Sequence, residues 1–190
     1  MTSTWTDPTA VAYNVKMSAA EDLLRVNNLK FLHDTRLEKV LAAAKQADFT
    51  STDETTMLTY AVLGGTLGTG LGYYELGVRI LVSVAAGSDR TLTAKFKYGA
   101  TTLVTMAILH SATYTDRPRL EWYSLHPDGD AAKQYGFGMA IDRSGVNYPQ
   151  CYPATEASGG DLNLTYTWQW SGAGGPAKLL AAKLVWIPTP

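Results

Sequence analysis

Residues 74–85 read YELGVRILVSVA and residues 162–170 read LNLTYTWQW, and these two stretches decide the fold class. In both, apolar side chains recur at every second position. A period of two places alternate residues on one face of a β-strand. Each stretch is therefore predicted to be a half-buried strand, with Trp168 and Trp170 on the same face.

Five further stretches have strand composition and are separated by turn residues such as glycine, proline and aspartate. They cover residues 92–98, 103–109, 120–123, 135–141 and 178–187. No segment with helical periodicity lies between them, so residues 74–190 are predicted to form an antiparallel β-sandwich. We expect a mainly β, jelly-roll-like fold, although an immunoglobulin-like strand order stays open at this stage.

Two of these strands, residues 103–109 and 178–187, are apolar on both faces. Antiparallel strands with one solvated face normally alternate between apolar and polar residues. The two strands are therefore expected to be central in their sheets or to face a second subunit.

The chain before the sandwich has a different character. Residues 18–45 contain good helix formers without proline or glycine, and Ser18 with Glu21 forms a capping box. We predict an N-terminal attachment arm over residues 1–48 that contains an α-helix at 18–45. Residues 49–73 are rich in threonine and glycine and are predicted to be a linker.

The predicted helix carries two apolar stripes that are rotated with respect to each other. A straight amphipathic helix packed on a single core would keep one stripe. We therefore interpret the arm as an oligomerisation or docking element, with packing across the sandwich as the alternative. Its predicted interface residues are Met17, Leu24 and Phe31, spaced by seven, and Leu37, Val40 and Leu41.

Composition excludes several classes of function. The formal net charge is −1 and no long basic run occurs, which argues against a nucleic-acid partner. No apolar stretch approaches the ~20 residues of a membrane span, and no secretory signal pattern opens the sequence. The single cysteine, Cys151, excludes an intramolecular disulfide, as expected for a protein made in a reducing cytoplasm.

No catalytic, cofactor-binding or metal-binding residue can be nominated. The three histidines lack paired-ligand spacing, and residues 141–145 lack the GxSxG frame of a nucleophile elbow. Four acidic residues could in principle supply a carboxylate pair for glycoside hydrolysis. They are Glu75, Glu121, Asp142 and Glu156, and the sequence does not show which of them are close in space. We therefore expect a protein that is not an enzyme and needs no cofactor or metal.

Aromatic residues are abundant in the sandwich, and most are expected in the core. Tyr148 and Tyr152 lie in a stretch, residues 142–160, that is predicted to be irregular because of its prolines and glycines. They are therefore candidates for a surface contact. Tyrosine and tryptophan stack on sugar rings and dominate interfaces, so a carbohydrate- or receptor-binding module is the alternative function.

The sequence also resembles a family at several places. The opening segment Ser3-Thr4-Trp5-Thr6-Asp7-Pro8, followed by residues 17–20 and 29–32, resembles the N-terminal segment of tailed-bacteriophage structural proteins. The hairpin at residues 93–104 and the closing strands at 164–170 and 178–186 are similar to those of the same group. The sequence departs from that pattern where the Leu-Asn pair and a preceding glycine are expected.

The resemblance implies a virion component: a tail or baseplate fibre, or a head fibre or decoration protein. Such proteins are commonly trimers of β-sandwich domains held by N-terminal segments, which adds Trp5 to the expected docking interface. The resemblance further implies a homotrimer that contacts other virion proteins, lies in the virion and is assembled in the host cytoplasm. A host-surface glycan is the partner that the alternative function implies.

Overall fold

The computed structural model describes residues 38–42, 47–65, 67, 72–84, 89–111, 116–128, 132–142, 150–173 and 175–188. They form ten strands: β1 (Glu38–Ala42), β2 (Thr55–Val62), β3 (Gly72–Val82), β4 (Arg90–Tyr98), β5 (Thr101–His110), β6 (Arg117–Pro127), β7 (Gln134–Asp142), β8 (Gln150–Ala154), β9 (Leu162–Trp170) and β10 (Ala177–Pro188). These ranges contain no helix, and therefore none with the length and hydropathy of a membrane span.

The strands form two antiparallel sheets. The larger sheet has the order β1-β10-β3-β6-β7-β8, and the smaller one has the order β2-β9-β4-β5. The prediction of a mainly β protein with two antiparallel sheets is confirmed. The seven strands predicted from periodicity correspond to β3 to β7, β9 and β10.

Four of the strand pairings are nested along the chain: β1 with β10, β2 with β9, β3 with β6, and β4 with β5. Successive pairs alternate between the two sheets. Within the larger sheet, the pairing of β10 with β3 joins two of these pairs, and within the smaller sheet the pairing of β4 with β9 does the same. A long hairpin rolled up in this way is a jelly roll, so the strand order left open by the sequence is of this type. The hairpin β7–β8 is additional and extends the larger sheet beyond β6.

The core lies between the two sheets. Along β9 the side chains of Tyr166, Trp168 and Trp170 are fully buried, as the alternation predicted for the two tryptophans. Tyr123 of β6 stacks on Phe96 of β4 with 5.2 Å between ring centroids. Burial of each large apolar side chain contributes about 1.5–3 kcal/mol, and such aromatic contacts add to it.

Strand β7 presents its large apolar side chains to solvent. Tyr135 and Phe137 point outward, whereas Gly136, Gly138 and Ala140 face the core. In an alternating strand the large apolar side chains ordinarily face the core, so the side chains of β7 point in the opposite direction to the usual one.

The reason for this direction is the close approach of β7 to β5 in the opposite sheet. A Cβ atom on Gly136 would lie 2.5 Å from Leu103 Cβ, and one on Gly138 would lie 2.6 Å from Val104 Cγ1. Such distances are far below van der Waals contact, so only glycine fits at these inward positions. The large residues of β7 must consequently occupy the outer face.

The predicted helix is wrong at its C-terminal end. Residues 38–42 form strand β1, which pairs with β10 through Val40↔Lys183 and neighbouring residues. Hydrogen bonding to the exposed edge of β10 overrides the local helix propensity of these residues. Val40 and Leu41 therefore lie on a strand, and the rest of the predicted helix, with Trp5, Met17, Leu24, Phe31 and Leu37, lies outside the described residues.

Two other expectations also need correction. Part of the predicted linker forms β2, because Leu58 and Val62 alternate into the core. Part of the stretch predicted to be irregular forms β8, whose Pro153 is tolerated because β8 is an edge strand. Of the two strands that are apolar on both faces, β10 is central, between β1 and β3, whereas β5 is an edge strand, for which contact with a second subunit is the alternative that stays a prediction.

Replacing Gly136 by alanine should lower the free energy of unfolding by about 1–3 kcal/mol, because Leu103 must move to admit the new Cβ atom. Gly159→Ala is the matched control, since nothing lies within 4 Å of a Cβ atom there. Urea denaturation, monitored by tryptophan fluorescence, measures the free energy of unfolding of both variants. Equal stability of the two variants would contradict the proposed close approach.

The outer face of β4 and β9, at the centre of the smaller sheet, is polar and carries a charge cluster. Glu54 forms ion pairs with Lys95 and Lys97 of β4, and the Thr167 hydroxyl donates to Glu54 Oε1 at 3.0 Å. The hydrogen bonds from the two lysines lower the pKa of Glu54 from 4.5 to about 2. This cluster ties the segment before β2 to the centre of the sheet.

Because the folded-state pKa of Glu54 is depressed, its stabilisation is fully present above pH 4.5 and is lost as the pH falls towards 2. Glu54→Gln should therefore be less stable than the unmodified protein at pH 7, by less than about 1 kcal/mol because the pair is partly exposed. The difference should shrink to nothing near pH 2. Thermal unfolding across this range is the measurement, with Asp53→Asn as a control that shows no such convergence.

Candidate binding surface on the six-stranded sheet

The outer face of β6 and β7 exposes several large apolar side chains. Trp122 is 41% exposed and Phe137 44%, and Tyr135 and Leu120 are also exposed. All four project from the same side of the larger sheet. Exposed apolar groups concentrated in this way usually mark a binding surface.

Strand register determines which side chains are neighbours on this face. Trp122 lies between Gly77 of β3 and Met139 of β7, and Ser124 lies between Glu75 of β3 and Phe137 of β7. Directly paired residues have Cβ atoms about 4.5–5.5 Å apart, so each of these rows is in side-chain contact range.

A groove of about 480 Å³ lies across these two rows. This volume is within the range of about 300–1,000 Å³ that is typical of small-molecule sites. The groove is lined by Glu75, Trp122, Tyr123, Ser124, Phe137, Gly138, Met139 and Gln150. It combines aromatic surface with a carboxylate, a hydroxyl and an amide, and is the candidate functional site.

One end of the groove is fixed by His126. Its imidazole stacks on Tyr73 at 4.3 Å between ring centroids and meets Phe137 edge-on at 5.2 Å. Its Nε2 atom is hydrogen-bonded to the Ser124 hydroxyl at 2.9 Å. Burial lowers the pKa of His126 from 6.5, so at neutral pH the ring is uncharged and orients the hydroxyl without adding a positive charge.

The edge beside the groove is closed by a contact between the sheets. Gln150 of β8 accepts a hydrogen bond from the Thr105 backbone N–H of β5 at 3.3 Å through Oε1. Further along, a hydrogen bond to the Asp128 carboxylate raises the pKa of Tyr135 above its ordinary value. These contacts hold the β7–β8 hairpin against the rest of the sandwich.

A buried polar cluster lies on the other face of β6, directly behind the groove. Arg119 forms an ion pair with Glu121, and both side chains are inaccessible to solvent. Tyr123 and Tyr166 donate hydrogen bonds to Glu121 Oε2, the latter at 2.5 Å. Burial, reinforced by the Glu121 carboxylate, raises the pKa of both tyrosines well above 10.

The structure separates the carboxylates that the sequence left as a candidate pair. Glu75 points outward into the groove, whereas Glu121 is buried on the opposite face of the same sheet. Glu156 accepts hydrogen bonds from Ala100 N at 3.1 Å and Thr101 Oγ1 at 2.5 Å, which secures the β4–β5 turn. The side chain of Asp142 is outside the described part of the structure.

Of the two predicted contact residues, Tyr152 is exposed on the edge strand β8, where it is paired with the inward-facing Gly136, and it does not line the groove. Tyr148 lies outside the described residues. Sequence reasoning did not single out Trp122, Phe137 or Gln150. The available signal was the stretch Arg119–Tyr123, RLEWY, in which charged and apolar residues alternate. That pattern alone suggests that the charged residues face solvent, whereas in the structure Arg119 and Glu121 are buried and Trp122 is exposed.

Replacing Arg119 by leucine should destabilise the protein by about 3–5 kcal/mol, because the Glu121 carboxylate would be left buried without its counter-charge. Arg79→Leu is the matched control: Arg79 is exposed on the neighbouring strand, where a change should stay within about 0.5 kcal/mol. Chemical denaturation at pH 7 compares the two. A loss for Arg119→Leu no larger than that of the control would contradict the role assigned to the ion pair.

Comparison with known proteins gives similarity in fold only. No family model matches the sequence, and no curated protein sequence is significantly similar to it. Solved structures with a related β architecture include the infectious bursal disease virus VP2 subviral particle, with a TM-score of 0.42 and 13% identity over 82% of this chain. This chain spans 34% of that VP2 chain.

Two smaller proteins are similar over most of their own length. The CBM2 module of the evolved Dit protein of Lactobacillus casei BL23 phage J-1 has a TM-score of 0.38 and 9% identity, with 77% of this chain and 76% of that chain covered. Lectin I-B4 from Griffonia simplicifolia has a TM-score of 0.41 and 6% identity, with 82% and 94% covered. These similarities assign no ligand or activity to the groove.

Proposed function

We propose that the protein is a non-enzymatic structural component of a bacteriophage particle that assembles as a homo-oligomer, a trimer. Its N-terminal arm attaches to other virion proteins, and the sandwich projects from the particle or decorates it. The resemblance found in the sequence supports the class of protein. The observation that carries the assembly is the exposed apolar strip on the edge strand β5.

This strip consists of the outward residues Ala107 and Leu109, and Leu109 is 62% exposed. The opposite face of β5 is in the core, where Leu103, Met106 and Ile108 are buried. An edge strand that is apolar on both faces invites pairing, and natural proteins normally protect such edges with charges. A neighbouring copy is the occupant that would remove this apolar surface from water.

The positions of β1 and β5 allow attachment and assembly to use different parts of the sandwich. Strand β5 contacts β7 and β8, whereas β1, which belongs to the arm, lies at the other edge of the larger sheet. The exposed face of Ala107 and Leu109 is therefore remote from β1 and accessible to a neighbouring copy. A closed ring of three requires a heterologous contact, so the β5 strip of one copy meets a different surface of the next.

Mass photometry of the full chain at micromolar concentration should give three times the 20.6 kDa mass of the monomer. Leu109→Asp should raise the dissociation constant by at least about tenfold, because a charge would be buried in an apolar contact. Leu63→Asp is the control, since Leu63 is similarly exposed but lies outside β5. A stable monomer, or an equal effect of both changes, would exclude this assembly.

The groove beside Trp122 favours a second function, recognition of a receptor glycan at a fibre tip. It places exposed aromatic rings next to polar groups on a rigid sheet. Since it lies on the larger sheet and the β5 strip lies on the smaller one, both functions can coexist in one particle. A glycan array probed with the full chain tests the proposed glycan recognition, and absence of binding to every glycan would refute it.

A further inference from the structure

We infer that the groove is a site for a neutral saccharide, in which a sugar ring stacks on Trp122 while Glu75 and Ser124 bind its hydroxyl groups. This inference rests on the second proposed function and identifies its ligand class and its residues.

The stacking surface is available because of a glycine. Trp122 is paired with Gly77 of β3, and a Cβ atom at Gly77 would lie 3.7 Å from the Trp122 Nε1 atom. Any longer side chain at this position would cover the edge of the indole. The glycine therefore leaves a large, flat apolar ring open beside the polar end of the groove.

The polar groups of the groove suit hydroxyl groups. Glu75 offers a carboxylate that only accepts hydrogen bonds, and it is paired with Ser124, whose hydroxyl is oriented by His126. The Ser124 hydroxyl can both donate and accept, so it keeps hydrogen-bonding capacity beyond its bond to His126. One sugar hydroxyl can donate to the Glu75 carboxylate while a neighbouring one pairs with the Ser124 hydroxyl.

This combination selects among ligand classes. A purely apolar ligand would cover the Glu75 carboxylate without offering it a hydrogen bond, which is unfavourable. An anionic ligand would meet the Glu75 carboxylate at close range. A neutral saccharide satisfies both requirements, because its C–H faces stack on aromatic rings and its hydroxyl groups pair with the Glu75 carboxylate and the Ser124 hydroxyl.

The test uses the full chain and named probes: cellotetraose, maltotetraose, lactose, N-acetyllactosamine and sialylated N-acetyllactosamine on an array, followed by calorimetric titration of the strongest binder. Trp122→Ala should weaken binding by about tenfold or more. Glu75→Gln should weaken it several-fold. Leu63→Ala, an exposed position after β2 in the smaller sheet and outside the proposed subunit contact, should leave it unchanged.

A second variant guards against a folding defect in Trp122→Ala. Gly77→Val adds a β-branched side chain that suits a strand but covers the indole edge, so the fold should be kept and binding lost. Circular dichroism and thermal unfolding verify that each variant is folded. Loss of binding in folded Gly77→Val would support the inference even if Trp122→Ala does not fold.

Four outcomes would overturn the inference. Glycan binding that survives Trp122→Ala and Gly77→Val but is lost in Tyr152→Ala would move the site elsewhere while leaving the proposed recognition function intact. Stronger binding of the sialylated probe than of its neutral counterpart would exclude the ligand class. Dissociation of the oligomer by Trp122→Ala would show that the groove is occupied by another copy of the chain. Absence of binding to every probe would remove both the inference and the function on which it rests.

Discussion

The close approach of β7 to β5 is the constraint on which both the closure of the sandwich and its outer surface depend. Gly136 and Gly138 have no side chain to place between the sheets, so the backbone of β7 comes within contact distance of Leu103 and Val104. The sheets can then meet tightly along one side. The same geometry sends the aromatic residues of β7 outward, so the exposed surface follows directly from the packing of the interior.

The buried cluster at Arg119 and Glu121 lies on the inner side of the same sheet and determines which residues of β6 reach that surface. On β6, alternate residues enter the core or face the groove, and the ion pair and Tyr123 occupy the core side while Trp122 occupies the other. Buried ion pairs often add little net stability, but they are strongly directional. A slip of β6 by one residue would expose the pair and bury Trp122, which breaks the hydrogen bonds from Tyr123 and Tyr166. The cluster therefore fixes the face on which the groove is built.

Periodicity in the sequence predicted seven strands correctly because alternation is a local property that each strand carries by itself. It failed where non-local contacts decide. Residues 38–42 favour a helix locally but pair with the edge of β10, and β8 is formed by pairing with β7 despite its proline. The groove could not be predicted for the same reason: the direction of Trp122 and Phe137 depends on two glycines whose neighbours, in β5, are distant in the chain. An alternating pattern specifies two faces but does not say which one is the core.

The nested strand pairing has a consequence for the order of events during synthesis. Strand β10 lies between β1 and β3 and joins them into one sheet, yet it follows the other nine described strands in the chain. Until residues 177–188 are available, β1 lacks the strand with which it pairs among the described residues, and β3 lacks one of its two neighbours. Pairings between residues so far apart in sequence are slow to form. The sandwich therefore closes only after β10 has emerged from the ribosome, and until then the incomplete sheets expose apolar edges that chaperones can bind.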